Sequence, residues 1–313
     1  MNFDAYKNCA LCPRDCNADR TREKSGFCGE SADCRVSFIG LHFGEEPSLT
    51  GSRGSGTIFF SGCSSRCFFC QNHQISIGHD GRIVTSAELL VEVRALLEKR
   101  VHNLNFVTPD HFWPHIRELC RALREEGVNA PMLFNGSGYQ RSDQVKEYAA
   151  WMDIFLPDFK FAEPDLAQRC MGDKRYPEIA LQALREMVRL KGFLEPWDTT
   201  GEQTALRGVL VRHLVLPGHV ENSLKVLKLL HQEFGSRIPL SVMSQFQPAR
   251  GRAAKKPFHR TLRSREYDQV LVLAEELGFE RVYTQELTEE TAFLPNFKNS
   301  DDPFSGNKVR RTE

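Results

Sequence analysis

Three cysteines lie close together in the chain, at Cys63, Cys67 and Cys70. They directly follow a short apolar run over residues 57–60 that predicts a buried strand. A compact loop can direct three thiolates at one face of a cubane iron–sulfur cluster, which leaves the fourth iron open to another ligand. Zinc sites usually pair two cysteines with a second pair and close with four ligands, and the nearby histidine here is His73. The spacing therefore favours a [4Fe–4S] cluster.

A second group of cysteines lies near the start of the sequence, at Cys9, Cys12, Cys16 and Cys28. A Cys-Xaa2-Cys pair with further thiols nearby is a strong signal for metal binding. Zinc would stabilise a segment too small to fold alone, whereas a second iron–sulfur cluster would relay electrons. The spacing leaves both alternatives open.

Composition restricts the classes of partner. The 313 residues contain 41 Lys plus Arg and 41 Asp plus Glu, so there is no strong nucleic-acid signal and no general attraction to anionic membranes. No apolar run approaches the roughly 18 residues of a membrane span, and the N-terminus lacks a signal-peptide core. We expect a cytoplasmic protein, in which ten cysteines indicate metal binding or catalysis rather than disulfides.

The elements that must position these cysteines follow from hydrophobic periodicity. Strand and helix alternate about six times, which predicts an α/β fold, a partial (βα)6-type barrel with its chemistry at the carboxyl ends of the strands. We expect a Cys-rich extension over residues 1–55, the barrel over 56–290 and a polar, flexible tail over 291–313. Predicted strands cover residues 57–60, 103–108, 130–135, 152–156, 208–216, 240–243 and 281–284, and predicted helices cover residues 86–99, 111–126, 176–191, 222–234 and 264–278.

Several segments taken together carry a family resemblance. They are Cys9-Ala-Leu-Cys-Pro-Arg14, residues 54–63, Cys70-Gln-Asn72, Val107-Thr-Pro-Asp-His111, Leu156-Pro-Asp-Phe-Lys160 and residues 211–218. With the cysteine triplet, they resemble the radical S-adenosylmethionine (SAM) superfamily, and within it uncharacterised proteins related to the pyruvate formate-lyase activating enzyme. The likeness runs from about Cys9 to Gln285.

The resemblance implies an enzyme activity. The open iron would bind the amino and carboxylate groups of SAM, and one electron would cleave SAM to methionine and a 5′-deoxyadenosyl radical that abstracts a hydrogen atom. The leading hypothesis for the substrate is a glycyl residue on a partner protein, with a reductant such as flavodoxin or ferredoxin. A small-molecule or RNA substrate is an alternative. Another is a non-catalytic electron carrier, which would need a fourth ligand such as His73.

The resemblance also implies roles for individual residues. Phe69 would pack near the SAM adenine, and Asp158 and Lys160 match an Asp-Xaa-Lys contact to SAM. Arg212 and His213 would face the same cavity mouth. Lys160 or Arg212 would pair with the SAM carboxylate, and Asp158 with a cationic or hydroxyl group. An ordinary surface ion pair between Asp158 and Lys160 is the alternative.

One departure from the family pattern concerns the SAM amino group. Radical SAM proteins often carry Gly-Gly-Glu after the second strand, where this chain has Val107-Thr-Pro-Asp-His111. The side chains of Thr108 or Asp110, or the backbone of Pro109, are candidates to replace it, and the sequence does not choose among them.

Two further groups of polar residues have both a functional and an ordinary interpretation. Asn135 begins Asn135-Gly-Ser-Gly-Tyr139 after a predicted strand, so it would contact ribose or a carboxylate, or simply form a turn. His42, Glu45 and Glu46 would face a substrate, or else belong to a solvated loop.

The cysteine triplet leads to a direct prediction. Cys67→Ala should abolish the reconstituted cluster because one iron loses its thiolate ligand. Iron–sulfur absorbance after anaerobic reconstitution measures this, and full absorbance in the variant would refute the ligand assignment.

Overall fold

Strands and helices alternate along most of the chain in the computed structural model, which describes residues 3–22, 25–248, 256–287 and 294–305. The strands are β1 (Arg35–His42), β2 (Ser55–Phe60), β3 (Arg82–Ile83), β4 (Leu104–Val107), β5 (Met132–Gly136), β6 (Ile154–Pro157), β7 (Gly208–Val209), β8 (Val211–Leu214), β9 (Leu240–Met243) and β10 (Val282–Thr284). The helices are α1 (Pro47–Thr50), α2 (His73–Ser76), α3 (Ser86–Glu98), α4 (Trp113–Glu125), α5 (Ser142–Ala149), α6 (Pro164–Met171), α7 (Tyr176–Lys191), α8 (Val220–Phe234) and α9 (Ser264–Glu276). Within the described ranges, no helix is both long enough and apolar enough to cross a bilayer.

The strands form two sheets that meet as a partial barrel. The larger sheet has the order β3-β1-β2-β4-β5-β6-β7, and β2, β4, β5, β6 and β7 pair in parallel. The smaller sheet, β10-β9-β8, is also parallel. A parallel bridge between Asp158 and Arg212 joins the two sheets. The predicted α/β partial barrel is therefore confirmed.

The predicted strand over residues 208–216 is divided between the two sheets. β7 pairs with β6, while β8 pairs with β9. Leu210 lies between them, and its N–H donates to the Phe155 carbonyl at 3.1 Å. One run of chain thus leaves the larger sheet and enters the smaller one, which keeps the barrel wall continuous.

The inner face of the barrel changes from apolar to polar along the strands. Leu133 on β5 and Ile154 and Leu156 on β6 belong to one buried cluster. Because successive side chains on a strand point to opposite faces, Asn135 and Asp158 occupy the next inward positions. The strands therefore carry polar side chains inward at their carboxyl ends.

The N-terminal region contributes more regular structure than its sequence suggests. Residues 3–22 and 25–34 are held as loops with one short 3₁₀ helix, Asp4–Tyr6. β1, which lies within the segment predicted as an extension, pairs antiparallel with β2. Val36 and Phe38 are both buried, but the pairing register shifts between them. Val36 therefore packs in one cluster with Phe60, and Phe38 in another with Phe59.

The segment after β10 also differs from its prediction as a polar, flexible tail. Residues 294–305 pack against the barrel, where Phe297 is 5% exposed and clusters with Phe38, Phe59 and Val107. The Phe297 N–H donates to Gln74 Oε1 at 2.7 Å. Two phenylalanines, Phe297 and Phe304, in a largely polar segment account for this docking. Residues 291–293 and 306–313 lie outside the described residues.

Tyr176, the first residue of α7, ties together the ends of two strands. Its hydroxyl accepts from the Lys160 N–H at 2.9 Å and lies 2.9 Å from the Ser137 carbonyl oxygen and 3.0 Å from that of Asp158. The Tyr6 hydroxyl is a useful contrast, because it is buried without a hydrogen-bond partner among the described residues.

Tyr176→Phe should lower the free energy of unfolding by about 1–3 kcal/mol, because it leaves buried backbone groups without their partner. Tyr6→Phe is the matched control and should change stability little. Urea unfolding of the metal-free protein measures both. Equal effects of the two substitutions would contradict the role assigned to the Tyr176 hydroxyl.

Candidate active site

A cavity of about 630 Å³ lies at the carboxyl ends of the barrel strands, within the size range of small-molecule sites. The segments that follow β2, β4 and β6, together with β5 and β8, all contribute to its wall. Among its lining residues are Cys63, Cys67, Phe69, Cys70, Thr108, Asn135, Asp158, Lys160 and Arg212. Nine residues predicted for the site from sequence thus lie around one space.

The cysteine loop that follows β2 is irregular and is held through its backbone. The Gly62 N–H donates to the Ile75 carbonyl at 2.9 Å, and the Phe68 N–H donates to the Cys170 carbonyl at 3.1 Å. Gly62 has φ of +79°, and a Cβ there would lie 2.5 Å from the Glu30 side chain, so this turn into the loop requires glycine.

Burial dominates the acid–base behaviour of the three thiols. It raises the pKa of Cys63 to about 12, with smaller contributions from Asp110 and Cys70. Burial also raises the pKa of Cys67, partly offset by the Lys160 ammonium. The metal-free thiols are therefore protonated near neutral pH, and metal binding releases protons.

The thiol arrangement fits a cluster better than a single ion. Across the described part of the chain, no group of three or more Cys, His, Asp or Glu side chains is placed to hold one metal ion. A cubane has a different requirement, because each cysteine binds a different iron. Cys63, Cys67 and Cys70 line one cavity without meeting at a point, and their soft sulfur donors suit iron.

Asp158 and Lys160 form an ion pair inside the cavity rather than on the outer surface. Their side chains are 23% and 17% exposed. Burial acts to lower the pKa of Lys160, but Asp158 and Cys67 outweigh it and raise the pKa well above its usual range. Lys160 is therefore a permanent cation close to the cysteine loop.

Thr108 lies at the end of β4 in an unusual backbone conformation. Its φ is +55°, in the left-handed region that a β-branched residue rarely adopts. Its N–H donates to the Asn135 carbonyl at 2.8 Å, which holds it beside the cavity. Such strained positions are frequent at functional sites.

The turn that begins at Asn135 packs directly on the Asp158 backbone. Gly138 has φ of +74°, and a Cβ there would lie 1.9 Å from the Asp158 carbonyl oxygen. Glycine is required at this approach. The segment therefore forms a turn and also part of the cavity wall. Its interpretation as a turn and its interpretation as a binding segment do not exclude each other.

Arg212 is already paired with two carboxylates. Its Nε donates to Glu46 Oε1 at 2.8 Å, and its Nη2 contacts both Glu45 and Glu46. Glu45 Oε1 also accepts from Asn105 Nδ2 at 2.6 Å and from Asn135 Nδ2 at 3.4 Å. The guanidinium is therefore less available than Lys160 to an incoming carboxylate.

The same network places Glu45 and Glu46 in the cavity wall rather than in a solvated loop. Burial acts to raise the pKa of Glu45, but the Arg212 guanidinium and other partners hold it below its usual range. Two carboxylates facing one guanidinium leave this part of the cavity with an excess of negative charge. Burial also lowers the pKa of His42, which lines the cavity nearby.

An aromatic wall surrounds Phe69. The centre of its ring lies 6.3 Å from that of Phe258, with an angle of 10° between the two ring planes, and 5.8 Å from that of Phe246. From the segment after β10, Phe304 lines the cavity and packs 4.3 Å from the His42 ring. The cavity lining thus contains aromatic as well as polar side chains.

The prediction for His213 is wrong. The residue is buried, with Nδ1 2.7 Å from the Phe159 carbonyl oxygen and Nε2 2.9 Å from Ser223 Oγ. Burial lowers the pKa of His213 to about 4. Because Arg212 points inward, its neighbour on the strand points outward into the helix layer.

Reasoning from sequence missed other cavity residues on the last two strands. Ser241 and Met243 lie two apart on β9, and Tyr283 lies on β10. The sequence signal that could have identified Ser241 and Met243 is their position on a predicted strand. Inward-facing residues near the carboxyl ends of strands line the site in such barrels.

The N-terminal cysteines lie outside the cavity lining. Cys9, Cys12 and Cys28 are buried, and Cys16 is exposed. Gly26 lies beside two of them: a Cβ atom added to Gly26 would lie 3.5 Å from the Cys16 sulfur and 3.4 Å from the Cys28 sulfur. A metal bound by these four cysteines stays a prediction.

Comparisons with known proteins give the chain its family. The family model described as "Radical SAM superfamily" matches residues 57–230. The chain is 27% identical over 285 residues to the uncharacterized protein MJ0674 of Methanocaldococcus jannaschii, covering 89% of this chain and 77% of that protein.

Among solved structures, the chain is similar to methylornithine synthase (PylB), with 13% identity, a TM-score of 0.47 and coverage of 88% of this chain and 78% of that one. HydG, described as a maturase of the [FeFe]-hydrogenase, gives 14% identity, a TM-score of 0.49 and coverage of 75% and 51%. SuiB of Streptococcus suis gives 9% identity, a TM-score of 0.45 and coverage of 72% and 47%.

The chain spans about half the length of SuiB and of HydG. The family match is different, because it covers more than half of the chain and contains the cysteine loop together with Asp158, Lys160 and Arg212. The chain therefore belongs to the radical SAM superfamily.

Proposed function

We propose that the chain is an enzyme that holds a [4Fe–4S] cluster on Cys63, Cys67 and Cys70 and binds SAM in the adjoining cavity. The observation that carries this proposal is that the three thiols line the same cavity as the Asp158–Lys160 pair. Bound together, the cluster and SAM supply reductive cleavage of a C–S bond of SAM to methionine and a 5′-deoxyadenosyl radical, which abstracts a hydrogen atom from the substrate.

The residues of the chain have three tasks in this scheme. The cysteines provide three thiolate ligands and leave one iron without a protein ligand. Lys160 orients the SAM carboxylate through a charge-assisted hydrogen bond, and Asp158 accepts from an amino or hydroxyl group. Many radical SAM proteins bind the SAM amino group with Gly-Gly-Glu, which this chain lacks. Thr108 and Asn135 supply polar contacts to SAM in its place.

Exclusion of water is the remaining task. Phe69, Phe246 and Phe258 form a buried aromatic group, and Phe69 lines the cavity. A radical formed in the cavity is protected where solvent is excluded. Phe69 also offers an aromatic surface to a planar adenine.

The position of His73 argues against the electron-carrier alternative. A carrier would need a fourth protein ligand, and His73 is exposed and absent from the cavity lining. The three thiols instead share the cavity with the paired charges of Asp158 and Lys160, which a simple carrier does not require.

For the substrate we propose a glycyl residue of a partner protein, with flavodoxin or ferredoxin as the electron donor. The support is the resemblance of the sequence motifs to the activating enzymes, and fold alone does not determine a substrate. A small molecule or an RNA is the alternative. We further propose that the enzyme works in the cytoplasm, and that Cys9, Cys12, Cys16 and Cys28 bind zinc or a second iron–sulfur cluster.

The first experiment measures SAM cleavage. Anaerobically reconstituted protein with dithionite and SAM should produce 5′-deoxyadenosine, detected by chromatography, and Cys67→Ala should not. A wild-type cluster whose spectrum does not respond to SAM would contradict the proposal and favour an electron carrier.

Lys160→Ala should weaken SAM binding by about tenfold or more, because a charge-assisted hydrogen bond contributes roughly 1.5–3 kcal/mol. Its iron content should match that of the wild type. Lys225→Ala is the control, since Lys225 forms an exposed ion pair with Glu163. Equal SAM affinity in both variants, measured by titration, would remove Lys160 from the site.

A further inference from the structure

Arg14, from the N-terminal cysteine segment, reaches across to the backbone of the cysteine loop. Its Nε donates to the Ser64 carbonyl at 2.9 Å, and its Nη2 donates to the Ser65 carbonyl at 3.2 Å. The same guanidinium donates to the carbonyls of Met171 at 2.6 Å and Gly172 at 3.4 Å. One side chain thus joins the loop to the end of α6.

One of the two loop peptide groups that Arg14 contacts also faces Cys63. The N–H of Ser65, in the peptide group that contains the Ser64 carbonyl, donates to Cys63 Sγ at 3.4 Å. In a trans peptide group the C=O and N–H point in opposite directions. The Ser64–Ser65 peptide group is therefore held between a cation and a thiol.

This arrangement has an electrostatic consequence. A cation that hydrogen-bonds to a carbonyl polarises the whole peptide group and strengthens the hydrogen bond that its N–H donates. Hydrogen bonds to the cysteine sulfurs are one of the factors that set the reduction potential of an iron–sulfur cluster. One-electron reduction by an external donor adds a negative charge to the cluster, and donors pointing at the sulfur stabilise that charge.

We propose that Arg14 is a positioning residue that raises the reduction potential of the [4Fe–4S] cluster through the Ser64–Ser65 peptide group. This inference rests on the proposed function, because it assumes that Cys63 is a cluster ligand. It gives the N-terminal segment a role in electron acceptance that does not depend on which metal its own cysteines bind.

Two observations support an electrostatic role beyond simple attachment. The four hydrogen bonds of Arg14 go to backbone carbonyls, so its charge acts on dipoles rather than on a neighbouring carboxylate. The Phe27 ring covers the guanidinium at 4.0 Å, which limits screening by water. Arg66 Nη1 in turn donates to the Phe27 carbonyl at 3.0 Å, so the loop holds this cover in place.

The test compares Arg14→Gln with Arg22→Gln in the full-length chain. Arg22 belongs to the same segment, but its side chain is 83% exposed and pairs with Asp19, so its loss removes an equal charge without touching the loop. Each protein is reconstituted, its iron and sulfide are counted, and the midpoint potential of the cluster is measured by redox titration without SAM.

We expect the ratio of reduced to oxidised cluster at a fixed potential to fall about threefold to tenfold in Arg14→Gln, where tenfold corresponds to about 59 mV for one electron. Arg22→Gln should match the wild type. Arg14→Lys keeps the charge but loses the fork that bonds several carbonyls at once, so its potential should lie between those of Arg14→Gln and the wild type.

The remaining outcomes separate this inference from the proposed function. If Arg14→Gln holds a full cluster with the wild-type potential, the inference is overturned and the proposed function stands. If Arg14→Gln holds no cluster, a wild-type potential in Arg14→Lys has the same meaning. Failure of both variants to hold a cluster assigns Arg14 a purely structural role and also overturns it. A wild-type protein that binds no cluster overturns the proposed function and this inference with it.

Discussion

Eight residues without regular secondary structure carry all three thiols of the proposed cluster site, and their backbone must be hydrogen-bonded by distant parts of the chain. Buried peptide groups cannot be left unsatisfied, yet this loop lacks the internal ladder of a helix or strand. Arg14 and Cys170 meet part of this requirement from two distant regions, and the Ile75 carbonyl holds Gly62 immediately before the loop. The irregular loop is therefore held by long-range contacts, and one of them, from Arg14, shares a peptide group with a hydrogen bond to Cys63.

Charge in the cavity obeys a second constraint. Buried ions are stable only when they are paired and hydrogen-bonded, and the cavity contains two such groups. Lys160 is paired with Asp158, whereas Arg212 is shared between Glu45 and Glu46. The first group is balanced and lies near the cysteine loop. The second carries one surplus carboxylate, so the side of the cavity that it lines favours a cationic or hydrogen-bond-donating group.

The barrel and its cysteine loop could be predicted from sequence because both rest on local patterns. α7 and β9 have the bounds that hydrophobic periodicity predicts, residues 176–191 and 240–243. β1 was missed because the register shift between Val36 and Phe38 interrupts a simple alternation, and because glycines and charged residues around it are typical of a loop.

The contacts that complete the site depend on long-range geometry instead. Glu45 meets Arg212 across 167 positions of sequence, and no local pattern encodes that meeting. Strand geometry alone could have prevented the wrong prediction for His213. This residue follows Arg212 directly, and neighbouring residues on a strand cannot both face the cavity.

The packing of Phe304 against His42 and Phe59 has a consequence for selectivity. Phe304 is part of the cavity lining, so a molecule bound on that side contacts an aromatic ring supplied by the segment after β10. An apolar group placed against the ring removes apolar surface from water, and this stabilises binding. A molecule without such a group lacks that contribution, so the segment after β10 biases which molecules the cavity accepts.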